Sequence, residues 1–181
     1  METILTLSEL ITELSESSKD NYKSIFKNLK LNADELEGFA NWSSQSYMRN
    51  GIYKDDCFEL ILICWEEGQE TSIHCHGGEE CWVYLLDGEV QEVFYGLDES
   101  ENLITIGARS LHKNQDSYIN DSIGFHKLKN NTKGRTMSLH LYAKPIENCT
   151  FYDQVSETFV EKKLSYDTFK NVMETQKSNS Y

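Results

Sequence analysis

Two of the chain's five histidines, His74 and His76, stand at i and i+2 in Ser72-Ile73-His74-Cys75-His76-Gly77-Gly78. Side chains on a strand alternate between faces, so both imidazoles point to one side of any strand that carries them. Neutral imidazole is a common metal ligand, and two that converge make half of a metal site. Taken alone, the pair fits two surface histidines equally well. Other residues add to its weight. His126 follows the turn-rich stretch Asn120-Asp121-Ser122-Ile123-Gly124 and could enter as a third ligand. His140 and Tyr142 share one strand face and could approach the same cavity. His112 lies among Ser110, Lys113 and Asn114 and reads as a surface residue. Three neutral imidazoles leave a divalent ion with open positions. Zinc in such a site makes hydroxide, and iron(II) activates oxygen. Spacing does not separate the two.

The elements that must hold these residues are short strands. Residues 58–65 form a nearly continuous apolar run, which suits a buried strand. Residues 82–86 and 89–95 flank Asp87-Gly88, a dipeptide that signals a hairpin. Strand-like segments continue at 103–106, 117–119, 125–128, 137–142 and 158–164. Many short strands at even spacing predict a sandwich or a closed barrel, because closure removes exposed edges. The first part of the chain reads as helical. Ser8-Glu9 could cap a helix carrying Leu10, Ile11 and Leu14. A second helix is expected over 21–29, and a short third from Asn32 or Asp34.

Size and charge bound the function. A chain of 181 residues fits one domain: helical over about 1–45, a barrel over about 46–165, and a polar tail. The net charge of −13 argues against nucleic acid or an anionic membrane surface as a partner. No apolar run approaches a membrane span, and the start lacks the basic and apolar pattern of a secretory signal. Five cysteines without a CxxC or a regular framework suit a reducing cytoplasm. A monomer is expected.

The spacing around His74 and His76 resembles a cupin, whose first motif sets HxH between two glycines with a glutamate further on. Gly68 and Gly88 stand at the glycine positions, while Cys81 replaces the glutamate and Glu80 sits beside it. The second motif is partial, with Gly124, His126 and Asn130 present and Ser122 in place of a proline. Within cupins, the chain is similar to the cysteine dioxygenases of the thiol dioxygenase family over roughly residues 40–165. The similarity rests on Tyr47-Met48-Arg49-Asn50, Leu62-Ile63-Cys64-Trp65, Ser72-Ile73-His74-Cys75-His76, the stretch from Tyr118 to Gly124, and Ser138-Leu139-His140-Leu141-Tyr142.

The resemblance implies a mainly β cupin, a small β-barrel or jelly-roll behind N-terminal α-helices. It implies iron(II) on His74, His76 and His126. Arg49, helped by Tyr47, would bind the substrate carboxylate. Tyr142 would lie beside the open metal positions with His140 hydrogen-bonded to it. Cys81 would form a thioether with Tyr142, and Cys149 matches a cysteine near the pocket entrance. The implied enzyme oxidises the L-cysteine thiol to the sulfinate with O2, in cysteine catabolism. Physical chemistry agrees on two points. The planar fork of Arg matches a carboxylate. Three neutral ligands leave the metal more positive, which favours an anionic thiolate. One departure stands at Ala143-Lys144-Pro145, where the family often has Ser-Pro-Pro. The alternatives are a dioxygenase of another small thiol, such as 3-mercaptopropionate, and a non-catalytic cupin that binds a metal or small molecule. In relatives that prefer 3-mercaptopropionate the arginine is typically glutamine, so Arg49 favours cysteine. Of the other cysteines, Cys57, Cys64 and Cys75 read as inert, with Cys75 turned from the metal side.

Overall fold

The computed structural model describes residues 2–173. Two helices lead the chain, α1 (Leu7–Glu16) and α2 (Tyr22–Lys27). Leu7, Leu10, Ile11 and Leu14 recur at helical spacing and bury one face of α1. Its cap is Thr6, not Ser8. The Thr6 hydroxyl accepts from Glu9 N, and the Glu9 carboxylate accepts from Thr6 N, which makes a reciprocal capping box. The expected third helix is a 3₁₀ segment, Ala33–Phe39, capped by Asn32.

Eleven strands follow among the described residues. They are β1 (Met48–Lys54), β2 (Glu59–Trp65), β3 (Cys81–Asp87), β4 (Glu89–Leu97), β5 (Leu103–His112), β6 (Asp116–Ile119), β7 (Phe125–Asn130), β8 (Thr136–Tyr142), β9 (Asn148–Asp153), β10 (Thr158–Lys163) and β11 (Thr168–Phe169). One sheet runs β11-β1-β2-β8-β3-β6, a second runs β5-β4-β7, and β9 and β10 form a hairpin. The segment bearing His74 is stitched between them by bridges from His74 to His126 and to Phe151.

The central strands β2, β3 and β8 are buried on both faces, which explains the continuous apolar run of β2. Leu60 and Leu62 of β2, Trp82 and Tyr84 of β3, and Leu139 and Leu141 of β8 pack against the helices with Leu10, Ile25 and Phe26. The alternate residues, Ile61, Ile63, Cys81, Val83 and Tyr142, fill the inside with Val90, Leu111 and Leu128 of the opposite strands. Strand parity thus decides which side chains can reach an internal site.

The hairpin expected at Asp87-Gly88 is not formed. β3 pairs with β8 and β6, whereas β4 pairs with β5 and β7, so the chain passes from one sheet to the other at Gly88. Gly88 has φ +82, and a Cβ there would lie 2.1 Å from Thr136 Oγ1. The glycine serves a close crossing, and it is not the corner of a two-residue turn. The polar segment 176–181 lies outside the described residues.

Candidate metal centre

His74, His76 and His126 each offer a ring nitrogen, and these atoms lie within 4.8 Å of one another. Three backbone features bring them together. His74 N donates to His126 O and His126 N to His74 O, both at 3.0 Å, which locks the two ligand segments side by side. Asp121 accepts from His76 N and Gly78 N, both at 2.7 Å, and so clamps the turn after His76. Gly124 has φ +124, and a Cβ there would meet Tyr95 O at 2.3 Å; only glycine lets β7 approach β4 this closely.

The protonation pattern of the rings fits a cation. His74 Nδ1 pairs with the Ser72 carbonyl at 2.9 Å, an acceptor only, so Nδ1 carries the proton and Nε2 is a free lone pair. His126 Nδ1 pairs with Glu92 Oε1 at 2.7 Å, which fixes the same tautomer. His76 Nε2 then faces His126 Nε2 at 3.1 Å, and His76 Nδ1 is buried with no partner. Burial, then the nearby His126, pulls the His74 imidazole down to about 3 and the His76 imidazole well below its usual range. Two neutral rings, His74 and His76, whose nitrogens converge with that of His126 suit a divalent metal.

Glu92 is the residue that sequence reasoning missed. It is fully buried on β4. One oxygen takes His126, and the other takes Arg109 Nε at 2.8 Å and Ser117 Oγ at 2.6 Å. Burial pushes its carboxyl up, but His126, Ser117 and Arg109 together hold it below the ordinary carboxylate range. The signal was present: Val90 and Glu92 share the inward parity of β4. Glu80, beside the cupin glutamate position, turns outward to Lys19 at 2.8 Å and to the Tyr118 hydroxyl.

The same interior holds the remaining predicted residues. A cavity is bounded by Tyr47, Arg49, His74, His140, Tyr142 and Cys149 among others. Arg49 comes from β1, and its Nε donates to Ser165 O at 3.2 Å. Its backbone is held by Asp167, which accepts from Arg49 N at 2.7 Å. Burial pulls the guanidinium down, but Tyr142, Tyr47 and Glu59 more than offset this and leave it above its usual value. Tyr142 and Cys81 are opposite residues of the β8–β3 ladder, and Tyr142 is within hydrogen-bonding reach of both Cys81 and Arg49. Burial pushes the Tyr142 phenol and the Cys81 thiol up, so both stay protonated at neutral pH. His140 Nε2 pairs with Ser138 Oγ at 2.9 Å, and Ser138 accepts from Trp65 Nε1 at 2.9 Å. His112 is exposed on β5, away from the cluster. At the departure from the family pattern, all described peptide bonds are trans and Lys144 has φ +112.

The fold and the cluster define a cupin whose interior carries a three-histidine site. The chain belongs to the cysteine dioxygenase type I family, whose model matches residues 1–155. It is 31% identical over 159 residues to cysteine dioxygenase type 1 of Rattus norvegicus, covering 84% of this chain and 80% of the relative. To the Homo sapiens protein it is 31% identical over 159 residues, with 82% and 80% covered. To the Danio rerio protein it is 29% identical over 161 residues, with 84% and 80% covered. Among solved structures, an uncharacterized conserved protein with a double-stranded β-helix domain from Klebsiella pneumoniae matches with a TM-score of 0.52 at 12% identity, over 71% of this chain and 89% of that one. That likeness speaks to fold alone. Membership makes the chain an oxygenase-type oxidoreductase of the cysteine dioxygenase class, and the family implies a non-haem metal. No helix among the described residues is long and apolar enough to cross a membrane.

Proposed function

We propose that His74, His76 and His126 hold iron(II), and that the chain converts L-cysteine and O2 to cysteine sulfinate at that centre. The observation that carries this reading is the shared cavity: His74, whose ring nitrogen converges with those of His76 and His126, lines the same small space as Arg49 and Tyr142. Iron(II) bound there would lower the pKa of a substrate thiol and activate O2 in its open positions.

The chain's own residues supply recognition. Arg49 offers a charged fork to the substrate carboxylate in a cavity shared with Tyr47. The half-dry setting strengthens that pairing, and the Ser165 and Asp167 contacts hold the arginine in place before substrate arrives. Tyr142 keeps its proton and can donate it in a hydrogen bond toward the reacting atoms. His140 lines the cavity two residues before Tyr142 on the same face, and its link to Ser138 and Trp65 fixes its ring. Glu92 fixes the His126 tautomer and sets a negative charge one residue behind the metal. That placement moderates the charge of a site with no carboxylate ligand.

The cross-strand pairing of Cys81 with Tyr142 supports a thioether between them. Two electrons and two protons would pass from the pair to O2. The link would fix the phenol and remove a thiol that competes for the metal. The five unpaired cysteines fit a cytoplasmic protein, read here as a monomeric single cupin domain spanning 1–181, with light scattering as the check on its mass.

Metal analysis with oxygen uptake over a panel of thiols tests the reading. Iron near one per chain and one O2 consumed per cysteine sulfinate formed are expected. Preference for 3-mercaptopropionate would move the substrate to the alternative thiol class. Bound metal without oxygen uptake would leave a binding cupin.

A further inference from the structure

Cys75 and Cys149 bring their sulfurs to 3.9 Å of each other in a buried setting, and the chemistry above uses neither. Cys75 lies between two ligand histidines, and its sulfur turns to Cys149 and Thr150 of the neighbouring segment. Cys149 belongs to β9. Backbone bonds from Cys75 N to Thr150 O at 3.0 Å and from Tyr152 N to Ile73 O at 2.9 Å hold the two segments against each other. The Cys75 sulfur accepts from Thr150 N at 3.3 Å and from Gly77 N at 3.5 Å, and the Cys149 thiol donates to the Cys75 carbonyl. Both sulfurs are thus held in place before any bond forms. A disulfide requires closing this gap to about 2.05 Å.

A second observation indicates how oxidising equivalents arrive. A cavity of about 390 Å³ opens beside Cys149, and three of its lining residues are Glu79, Glu147 and Glu161. Cys149 also borders the inner cavity with Arg49 and Tyr142, so it stands between the two spaces. Three carboxylates around the mouth favour a cationic reagent over an anionic one.

We propose that Cys75 and Cys149 form a reversible disulfide by exchange with a small cationic disulfide drawn into the acidic outer cavity. The Cys149 sulfur attacks one sulfur of the incoming disulfide. The reagent's S–S bond breaks, and its first thiol leaves with the Cys149 proton. The Cys75 sulfur then attacks the Cys149 sulfur of the mixed disulfide. The second reagent thiol leaves with the Cys75 proton. The two protein sulfurs lose two electrons and two protons, and the reagent gains both. The bond ties the segment bearing His74 and His76 to β9, and excess small thiol reverses it.

The test uses iron-loaded protein carrying Cys57→Ser, which removes the exposed thiol. Incubation with cystamine without oxygen should yield a Cys75 peptide joined to a Cys149 peptide, lighter by two hydrogens than their sum. Dithiothreitol should separate them; it does not cleave a thioether, so a Cys81–Tyr142 link is not mistaken for this one. The reaction should run roughly tenfold faster with cystamine than with the dianionic 3,3′-dithiodipropionate. A cystamine half held on Cys149 with no link to Cys75 would overturn the proposal, as would both thiols remaining free. Equal rates with the two reagents would overturn the role of the acidic mouth. The readout is a peptide mass, so it stands or falls independently of turnover.

Discussion

Cys81 and Tyr142 face each other as a direct cross-strand pair between β3 and β8, both turned into the interior. Each is buried, and the two pack in one interior cluster. β8 on one side and β6 on the other hold the Cys81 strand.

Wild-type protein fed cysteine and air should therefore accumulate a thioether-joined species. It should show as a second band on denaturing gels and as a joined peptide lighter by two hydrogens. Cys81→Ala should abolish that band while keeping iron and part of the activity. An enzyme that turns over cysteine indefinitely without the joined peptide would leave Cys81 as a packing residue.

Arg49 should set specificity. Arg49→Gln removes a charged fork from a buried cavity but leaves the metal ligands intact. For cysteine, kcat/KM should fall about 10- to 100-fold, the value of one or two charge-assisted hydrogen bonds. Turnover of 3-mercaptopropionate should fall less. Equal losses for both thiols, measured by oxygen uptake, would remove Arg49 from carboxylate recognition.

Gly88 should be intolerant of a side chain. Its φ of +82 and its approach to Thr136 leave no space for a Cβ. Gly88→Ala should cost roughly 2–4 kcal/mol through backbone strain and overpacking together. Urea unfolding of the two proteins measures the difference. A loss under half a kcal/mol would mean that the sheet crossing relaxes easily.

These cases mark what a sequence can carry. β2 was legible because a strand buried on both faces reads as one apolar run. His74 and His76 were legible as a pair from their spacing, although a segment bridged at His74, not a strand, carries them. The Asp87-Gly88 turn was misread because a hairpin signal is local, whereas the partner of β3 is chosen by burial across the whole sheet. β9 was missed because its alternation is confined to Cys149 and Phe151 and is too short to stand out; its place comes from pairing with β10 and a bridge to His74. The pairing of Cys81 with Tyr142 came from resemblance, since no spacing rule links positions so far apart. Glu92 had the right parity, but a lone acidic residue on a strand does not announce its partner.

Glu92 and Glu80 make opposite predictions, and the contrast tests the metal centre most directly. Glu92 holds His126 at 2.7 Å and is itself held by Arg109 and Ser117. Glu92→Gln keeps the shape but removes the charge and offers a donor as well as an acceptor to the ring. The tautomer that frees Nε2 is then no longer enforced, and iron affinity should fall about 10- to 100-fold. Glu80 sits beside the usual cupin ligand position yet binds Lys19 and Tyr118. Glu80→Gln should leave iron content unchanged. His126→Ala should lose iron outright, and His112→Ala, on the exposed edge of β5, should not. The readout is iron per chain after dialysis against a graded chelator. If Glu80→Gln lost iron and Glu92→Gln kept it, the three-histidine set would be incomplete and a carboxylate would have to join it.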